Sequence, residues 1–431
     1  MTSFEPGLAG LIPELRWRGM FHAASDGFEA RLAAGQAISG YNGFDPSGPW
    51  LHIGHLVPIF GLIHFQRHGG RPVALMGGGT GMIGDPSGRS SERKLLTRDE
   101  LEANIAVLRP QFERLLDFSG PNGTLLLNNL DWLAPLHLLE WLRDVGKHFT
   151  IPYMLAKDSV QLRLERGLSF TEFSYMLIQA TDFEHLHRTM GVELQMGGAD
   201  QYGNITAGLE LIRRTAARAE QDAPDAYALA YPLLLSPSGA KFGKSEGGDS
   251  IWLHPDGTSP YAFYQHWVNT DDRDVPVYLR WFTTKDPAEI EALDAEAAAR
   301  PEGRAAQRAL ALDVTGRVHG EATARAVAEA SVALFDPAPI VDPARLQGLH
   351  ALVGGFTTTA AGETPAAAVL ADAGLVASRG EARRLIQNGG VTINGVRLGD
   401  PNAAMPPAIA GEWYEVRIGK RKREIGRRVP A

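Results

Sequence analysis

Short apolar runs that end in glycine recur along the first half of the chain. Residues 72–76, PVALM, lead into GGGTGMIGDPSG; residues 124–128, TLLLN, and 192–196, VELQM, repeat the pattern, and the last ends in GGADQYGN. A run of this length feeding a glycine-rich loop reads as a buried strand. Helical stretches lie between the runs, as in 134–146, APLHLLEWLRDVG. Strands alternating with helices predict an α/β domain with a mostly parallel sheet. From 229 to 250 the pattern gives way to a loop, which ends in LSPSGAKFGKSEGGDS.

After residue 251 the period changes. Residues 287–335 are rich in Ala, Glu and Arg with apolar positions at helical spacing, which predicts a helical domain. Residues 354–365, GGFTTTAAGETP, read as a linker. The last segment shifts again. Ser378 and Glu381 form a capping box ahead of a short helix, and Gly389-Gly390 stop it. VTINGVRL then sets Asn394-Gly395 between alternating residues, a strong hairpin signal. The expected division is 1–250, 251–350, a linker at 351–365, and a small α+β domain at 366–431.

Composition sharpens this outline. At 431 residues the chain is long enough for two or three domains. Its 44% hydrophobic and 21% charged content is that of a globular protein. No apolar run approaches the ~20 residues that cross a bilayer, and the first residues do not read as a secretory signal. With no cysteine, disulfides, thiolate metal sites and a cysteine nucleophile are excluded. A cytoplasmic setting fits. The formal charge of −8 argues against a polyanionic partner, but its distribution argues for one. From residue 366 onward 11 Lys and Arg face 6 Asp and Glu, while the rest of the chain carries 31 against 44. A basic end on an acidic body suits a polyanion, and it equally suits a solvated terminus.

Candidate chemistry gathers at two places. The first is YNGFDPSGPWLHIGHL, where His52 and His55 flank Ile53-Gly54 after a turn of Gly, Pro, Asp and Ser. Histidines three apart share a helix face, so metal ligation is one reading, without a cysteine or a nearby acid to complete the set. Two histidines satisfied by their neighbours is another. A third starts from Gly54, which weakens a helix unless something flat lies against the backbone. A helix start with adjacent imidazoles suits phosphate oxygens. The second place is Lys241-Phe242-Gly243-Lys244-Ser245, two lysines in a glycine-rich loop after the last strand of the α/β domain. Ligands gather at such strand ends, and lysines there can offset charge on a leaving pyrophosphate.

HIGH at 52–55 followed by KFGKS at 241–245 resembles the paired signature of class I aminoacyl-tRNA synthetases. Tyr41 with GFDPS, GDPSG at 84–88, SYMLIQATD at 174–182 and GGADQYGN at 197–204 resemble the bacterial tyrosyl branch of that family. Residues 366–431 resemble the small RNA-binding module this branch shares with a ribosomal protein. The resemblance implies a Rossmann-like doubly wound catalytic domain, a helical domain that reads the anticodon, and the RNA-binding module. It implies tyrosine, ATP and tRNA(Tyr) as substrates, Mg2+ carried on the ATP with no protein-held metal, and a homodimer. Ser47, His52 and His55 would contact the phosphates, and Lys241 and Lys244, helped by Arg89 and Arg93, the pyrophosphate. Asp45, Gly54, Gly198 and Asp200 would complete the ATP site, Asp200 on the ribose. Asp85, Tyr175 and Gln179 would hold the α-ammonium, Gln201 the carboxyl end, and Tyr41 with Asp182 the phenolic hydroxyl. Arg379, Arg383 and Arg384, with Lys420, Arg421, Lys422 and Arg423 after the last strand, would track RNA. Four positions depart from the pattern: Asn42 stands where cysteine is common, Arg89 where lysine is frequent, and Phe242-Gly243 where the generic loop has Met-Ser.

Gly79, Gly81 and Gly84 also fit the dinucleotide fingerprint G-x-G-x-x-G after a strand. That fingerprint opens a long helix, and here Asp85-Pro86-Ser87-Gly88 interrupts at once.

Overall fold

The computed structural model describes residues 4–87, 95–157, 160–161, 164, 167–219, 225–234, 242, 250–359, 363–419 and 422–430. The chain divides into two units, Met1–Gly257 with Asn269–Leu310, and Thr258–Val268 with Ala311–Ala431.

The first unit is built on six strands: β1 (Ala23–Ala24), β2 (Ser39–Phe44), β3 (Arg71–Met76), β4 (Leu125–Asn128), β5 (Val192–Gly198) and β6 (Tyr227–Tyr231). Their order is β1-β6-β5-β2-β3-β4. β1 runs antiparallel to β6, and the other pairs are parallel. Chain order reverses between β2 and β5, the switch point at which doubly wound sheets bind ligands. Val73 to Met76 are all buried, as a strand covered on both faces requires. The helix Phe170–Met190 opens on a Ser169–Glu172 capping box and ends at Gly191, whose φ is 65°.

Two expectations in this unit are corrected. The residues 229–231, read as loop, belong to β6 and are fully buried. YALAY carries no β-branched residue, so its strand signal is weak. The helix expected over 134–146 covers Leu138–Asp144 and buries none of its residues. Pro135 interrupts the pattern, separating it from the turn Leu130–Leu133.

The helices Val275–Phe282 and Pro287–Ala299, expected in a separate helical domain after 251, fall in the first unit. Phe282 meets Phe60 edge-on at 5.8 Å. The buried Arg18 guanidinium donates to the carbonyls of Arg280, Thr283 and Lys285 at 2.8, 3.1 and 3.0 Å. Such tertiary anchors are invisible to helical periodicity.

The second unit contains the helices Pro260–Val268, Glu321–Phe335 and Pro343–Val353 and a five-stranded sheet. Its strands are β7 (Phe356–Thr358), β8 (Val391–Ile393), β9 (Val396–Leu398), β10 (Trp413–Ile418) and β11 (Lys422–Arg428), in the order β7-β11-β10-β8-β9. The expected hairpin is β8–β9, with Asn394 and Gly395 both at positive φ, 50° and 77°. The capping box is only half formed. Ser378 Oγ accepts from the Glu381 amide at 3.2 Å, but the Glu381 carboxylate takes the amide of Ala377 at 2.8 Å.

The stretch 354–365, read as a linker, supplies β7, which pairs parallel with β11. The crossing is close: a Cβ at Gly426 would lie 2.2 Å from the Phe356 ring, and one at Gly355 2.1 Å from the Ile425 carbonyl oxygen. Gly355 and polar threonines hide a strand whose one apolar residue, Phe356, is buried.

Candidate active site

A cleft of about 480 Å3 opens at the carboxyl ends of β2, β3, β5 and β6 in the first unit. It gathers Tyr41, Asp45, Ser47, His52, Gly54, His55, Asp85, Tyr175, Gln179, Asp182, Gly198, Asp200 and Gln201. Lys241, Lys244, Arg89 and Arg93 lie outside the described residues.

At one end the two histidines follow β2. His52 caps the short helical turn Ile53–His55, which runs into the helix Leu56–Arg67. His52 Nδ1 accepts the Gly54 amide at 3.1 Å, and His55 Nδ1 accepts the His52 amide at 3.0 Å. With Nδ1 accepting, each neutral ring carries its hydrogen on Nε2 and is a donor there. The rings lie 3.9 Å apart, and a Cβ at Gly54 would fall 2.8 Å from the His52 ring. That contact gives a reason for the glycine that the sequence did not. A distant segment braces this turn. Ile53 donates to the Ile251 carbonyl at 3.0 Å and Leu253 to that of Leu51 at 2.8 Å, pairing His52 with Trp252 in an antiparallel bridge. Phe242, also on the cleft wall, stacks on Phe282 at 5.2 Å.

The opposite end is buried and polar. Asp182 Oδ1 accepts from Trp132 Nε1 at 2.8 Å, and Oδ2 from Asn129 Nδ2 at 2.9 Å. Burial pushes the Asp182 carboxyl up to about 7, against the downward pull of these two donors. Tyr41, fully buried beside it, has its phenol raised well above the ordinary range by burial and by Asp182, so it stays protonated. Among the described residues Tyr41 Oη meets no hydrogen-bond partner, and neither do Asn42 Oδ1, Gln179 Oε1 and Gln195 Oε1. All four residues line the cleft. Four such atoms converging on one cleft offer their hydrogen-bonding capacity to whatever enters it.

Between the ends runs a carboxylate network. Gln201 Nε2 donates to Asp85 Oδ2 at 2.7 Å, while Asp85 Oδ1 accepts the Ser87 amide at 2.9 Å. Asn204 Nδ2 donates to Gln201 Oε1 at 3.2 Å and fixes that amide's orientation. Tyr175 Oη donates to Asp45 Oδ2 at 3.4 Å, and Thr80 Oγ1 to Asp45 Oδ1 at 3.1 Å. Asp45, expected on the ATP side, is thus tied to a residue of the expected ammonium site. Burial, and then the nearby Asp85 charge, raise the Asp200 carboxyl. Among the described residues no cluster of three or more His, Asp or Glu is placed to hold a metal.

Residues 33–336 match the family described as tRNA synthetases class I (W and Y), and residues 367–403 match the S4 domain. A tyrosine–tRNA ligase from Anaeromyxobacter dehalogenans is 49% identical over 421 residues, covering 96% of this chain and 98% of that one. This chain belongs to the tyrosine–tRNA ligase family. A tyrosine–tRNA ligase from Geobacillus stearothermophilus is 47% identical over 418 residues, 96% of this chain and 98% of that one. A C-terminally truncated mitochondrial tyrosyl-tRNA synthetase from Aspergillus nidulans superposes with a TM-score of 0.66 at 30% identity, over 75% of this chain and 94% of that one.

Family membership makes the residues that the sequence missed more telling. Asn129 and Trp132 sit just after β4 and orient Asp182, yet no local motif marks them. An asparagine and a tryptophan near a strand end were the only sign.

In the S4 region Arg383 and Arg384 are exposed on the helix Arg379–Gln387, and the exposed Arg379 is paired with Asp372 at 3.0 Å. Lys420 and Arg421 lie outside the described residues. Lys422 and Arg423 do not follow the last strand but begin it. Lys422 Nζ donates to the Leu375 carbonyl at 2.8 Å. The Arg423 side chain is 4% exposed and paired with Glu415, so it is withdrawn from RNA. A run of cations in sequence does not tell inward from outward positions of a strand.

Proposed function

We propose that the cleft joins the carboxylate of tyrosine to the α-phosphorus of ATP, releasing pyrophosphate, and then passes the tyrosyl group to the 3′-terminal ribose hydroxyl of tRNA(Tyr). The reaction is that of the family. The assignment of roles to residues is ours. Tyrosine's hydroxyl would meet Tyr41 and Asp182, the latter held as an acceptor by Asn129 and Trp132. Asp85, Tyr175 and Gln179 would take the ammonium group, and Gln201 the carboxyl end. The Nε2 hydrogens of His52 and His55, with Ser47, would donate to the phosphates. Gly54 and Gly198 would admit the adenosine, and Asp45 and Asp200 would lie along it, Asp200 at the ribose. Lys241, Lys244 and Arg93 would meet the pyrophosphate. No covalent enzyme intermediate is needed, so catalysis rests on positioning and on charge stabilisation.

Mg2+ would arrive on the ATP phosphates as part of that substrate. Arg379, Arg383 and Arg384, with Lys420, Arg421 and Lys422, would contribute cations along the RNA backbone. The homodimer is favoured by apolar side chains on the first unit: Leu138, Leu139, Ile151 and Phe170 are 68, 80, 58 and 79% exposed. No helix among the described residues is long and apolar enough to cross a membrane. Because charging serves translation, we place the protein in the cytoplasm.

The observation that carries this reading is the buried Tyr41 hydroxyl beside Asp182, which with three further buried polar atoms of the cleft lacks a hydrogen-bond partner among the described residues. A pocket built to bond a hydroxyl rejects a ligand without one, because its own polar groups are then stranded. Amino-acid-dependent pyrophosphate exchange tests it. Exchange with tyrosine and almost none with phenylalanine or tryptophan is expected. Equal exchange with phenylalanine would overturn the assignment of Tyr41 and Asp182.

A further inference from the structure

The second unit holds a buried charge cluster that the chemistry of the cleft does not use. Glu415 on β10 has a fully enclosed side chain and pairs with Arg423 on β11, which is 4% exposed. Arg417 Nε adds a second contact to Glu415 Oε1 at 2.8 Å. Arg417 and Arg423 stand directly opposite each other across the β10–β11 pair. Like charges in that position repel, so something must hold them there.

Glu415 is one part of the answer, and a row of carbonyls is the other. Arg423 Nη1 donates to the Ala333 and Asp336 oxygens at 2.7 and 2.9 Å, and Nη2 to that of Ala338 at 2.8 Å. Arg417 donates to the Pro337 and Ala338 oxygens, both at 2.5 Å. These carbonyls close the helix Glu321–Phe335 and the turn after it. A helix carboxyl end carries unpaired carbonyls and the negative end of its dipole, and two guanidinium forks suit it. The surrounding contacts are apolar. Trp413 and Ile425 of the sheet share one buried cluster with Ala330, Ala333, Leu334 and Leu346 of the helices.

We propose that Glu415, Arg417 and Arg423 lock the C-terminal sheet module onto the helix Glu321–Phe335, so that the RNA-facing helix Arg379–Gln387 is held in one orientation to it. These are positioning residues. The functional half of the proposal rests on the reading that this unit binds tRNA. A buried ion pair adds little net stability compared with apolar packing, but it accepts few alternative geometries. With the helical part of this unit reading the anticodon, as the family resemblance implies, it and the helix Arg379–Gln387 are two RNA contacts on one rigid body, and loosening their spacing lowers the effective concentration of the second.

The absence of cysteine makes the test clean, because an introduced pair is unique. Val332 on the helix and Val396 on the hairpin are 67% and 53% exposed, which leaves room for nitroxide labels. In the full-length chain carrying Val332→Cys and Val396→Cys, electron-spin distance measurement should give one narrow distribution. Glu415→Gln and Arg423→Met should each broaden it. Where Arg423→Met does not fold, Arg423→Lys keeps the charge, loses the fork, and should broaden it less. In charging assays the KM for tRNA should rise about tenfold or more while pyrophosphate exchange stays within about twofold.

A broad distribution in the unsubstituted background would overturn the lock. Broadening without any rise in the KM for tRNA would overturn its functional role. Direct RNA contact by Arg423 predicts the opposite pattern: Arg423→Met weakens tRNA binding at unchanged distance, and Glu415→Gln strengthens it. Should the parent chain charge no tRNA at all, the tRNA reading falls, and the distance result still decides the lock.

Discussion

Asp182 and Glu415 are both buried carboxylates, and they are held in opposite ways. Asp182 receives two neutral N–H donors, from Asn129 and Trp132, and is paired with no cation among the described residues. Glu415 receives two guanidiniums, which are themselves bound to helix carbonyls. A carboxylate held by neutral donors keeps acceptor strength for a hydroxyl that arrives later. One paired with two arginines through Oε1 has its charge neutralised within the fold. Burial alone therefore does not mark a functional acid; the charge of its partners does.

The largest expected effect comes from taking the acceptor away. Asp182→Ala strands the Asn129 and Trp132 donors as well as the incoming hydroxyl, at about 1–3 kcal/mol for each buried group. The kcat/KM for tyrosine in pyrophosphate exchange should fall by at least about 100-fold, with the KM for ATP nearly unchanged. An equal rise in the KM for ATP would mean that Asp182 serves the whole cleft. Next comes Glu415→Ala, which leaves the buried Arg423 guanidinium without its counter-ion at about 3–5 kcal/mol, and the partly exposed Arg417 without a partner carboxylate. Thermal unfolding of the second unit should move down by several degrees while pyrophosphate exchange persists. If exchange fell in parallel, the contrast between the two carboxylates would be lost.

The smallest effect is the most specific. The Asp182 carboxyl is held near 7, so it protonates as pH falls through that value. The kcat/KM for tyrosine should decline on the acid side of about pH 7. Trp132→Phe removes one of the two lowering donors and should move that inflection upward. For stability the sign is reversed. A carboxyl whose folded value is raised stabilises most below its unfolded value and loses that contribution as pH rises through 7. Activity and stability thus oppose each other across this range.

The chain announced some of this and concealed the rest. HIGH and the Asn-Gly hairpin were legible because their chemistry is local: a cap, a turn, a positive φ. Tyr41 and Asp182 were found only through the motifs around them, and Asn129 and Trp132 not at all. Their role is defined by a carboxylate about 50 residues away. Arg423 was misplaced for the converse reason. Its neighbours in sequence are cations, but its partners are Glu415 and the carbonyls closing a helix 85 to 90 residues upstream. Phe356–Thr358 was taken for linker because a short strand with one buried apolar residue looks like any threonine-rich connection.

The bridge between His52 and Trp252 bears on how the molecule assembles. It ties together segments about 200 residues apart, and contacts of such long sequence separation form late in folding. A nascent chain that has just released its two imidazoles from the ribosome therefore carries the motif without its brace. The turn that presents the imidazoles is complete only once the segment around Trp252 has been made and has paired with it.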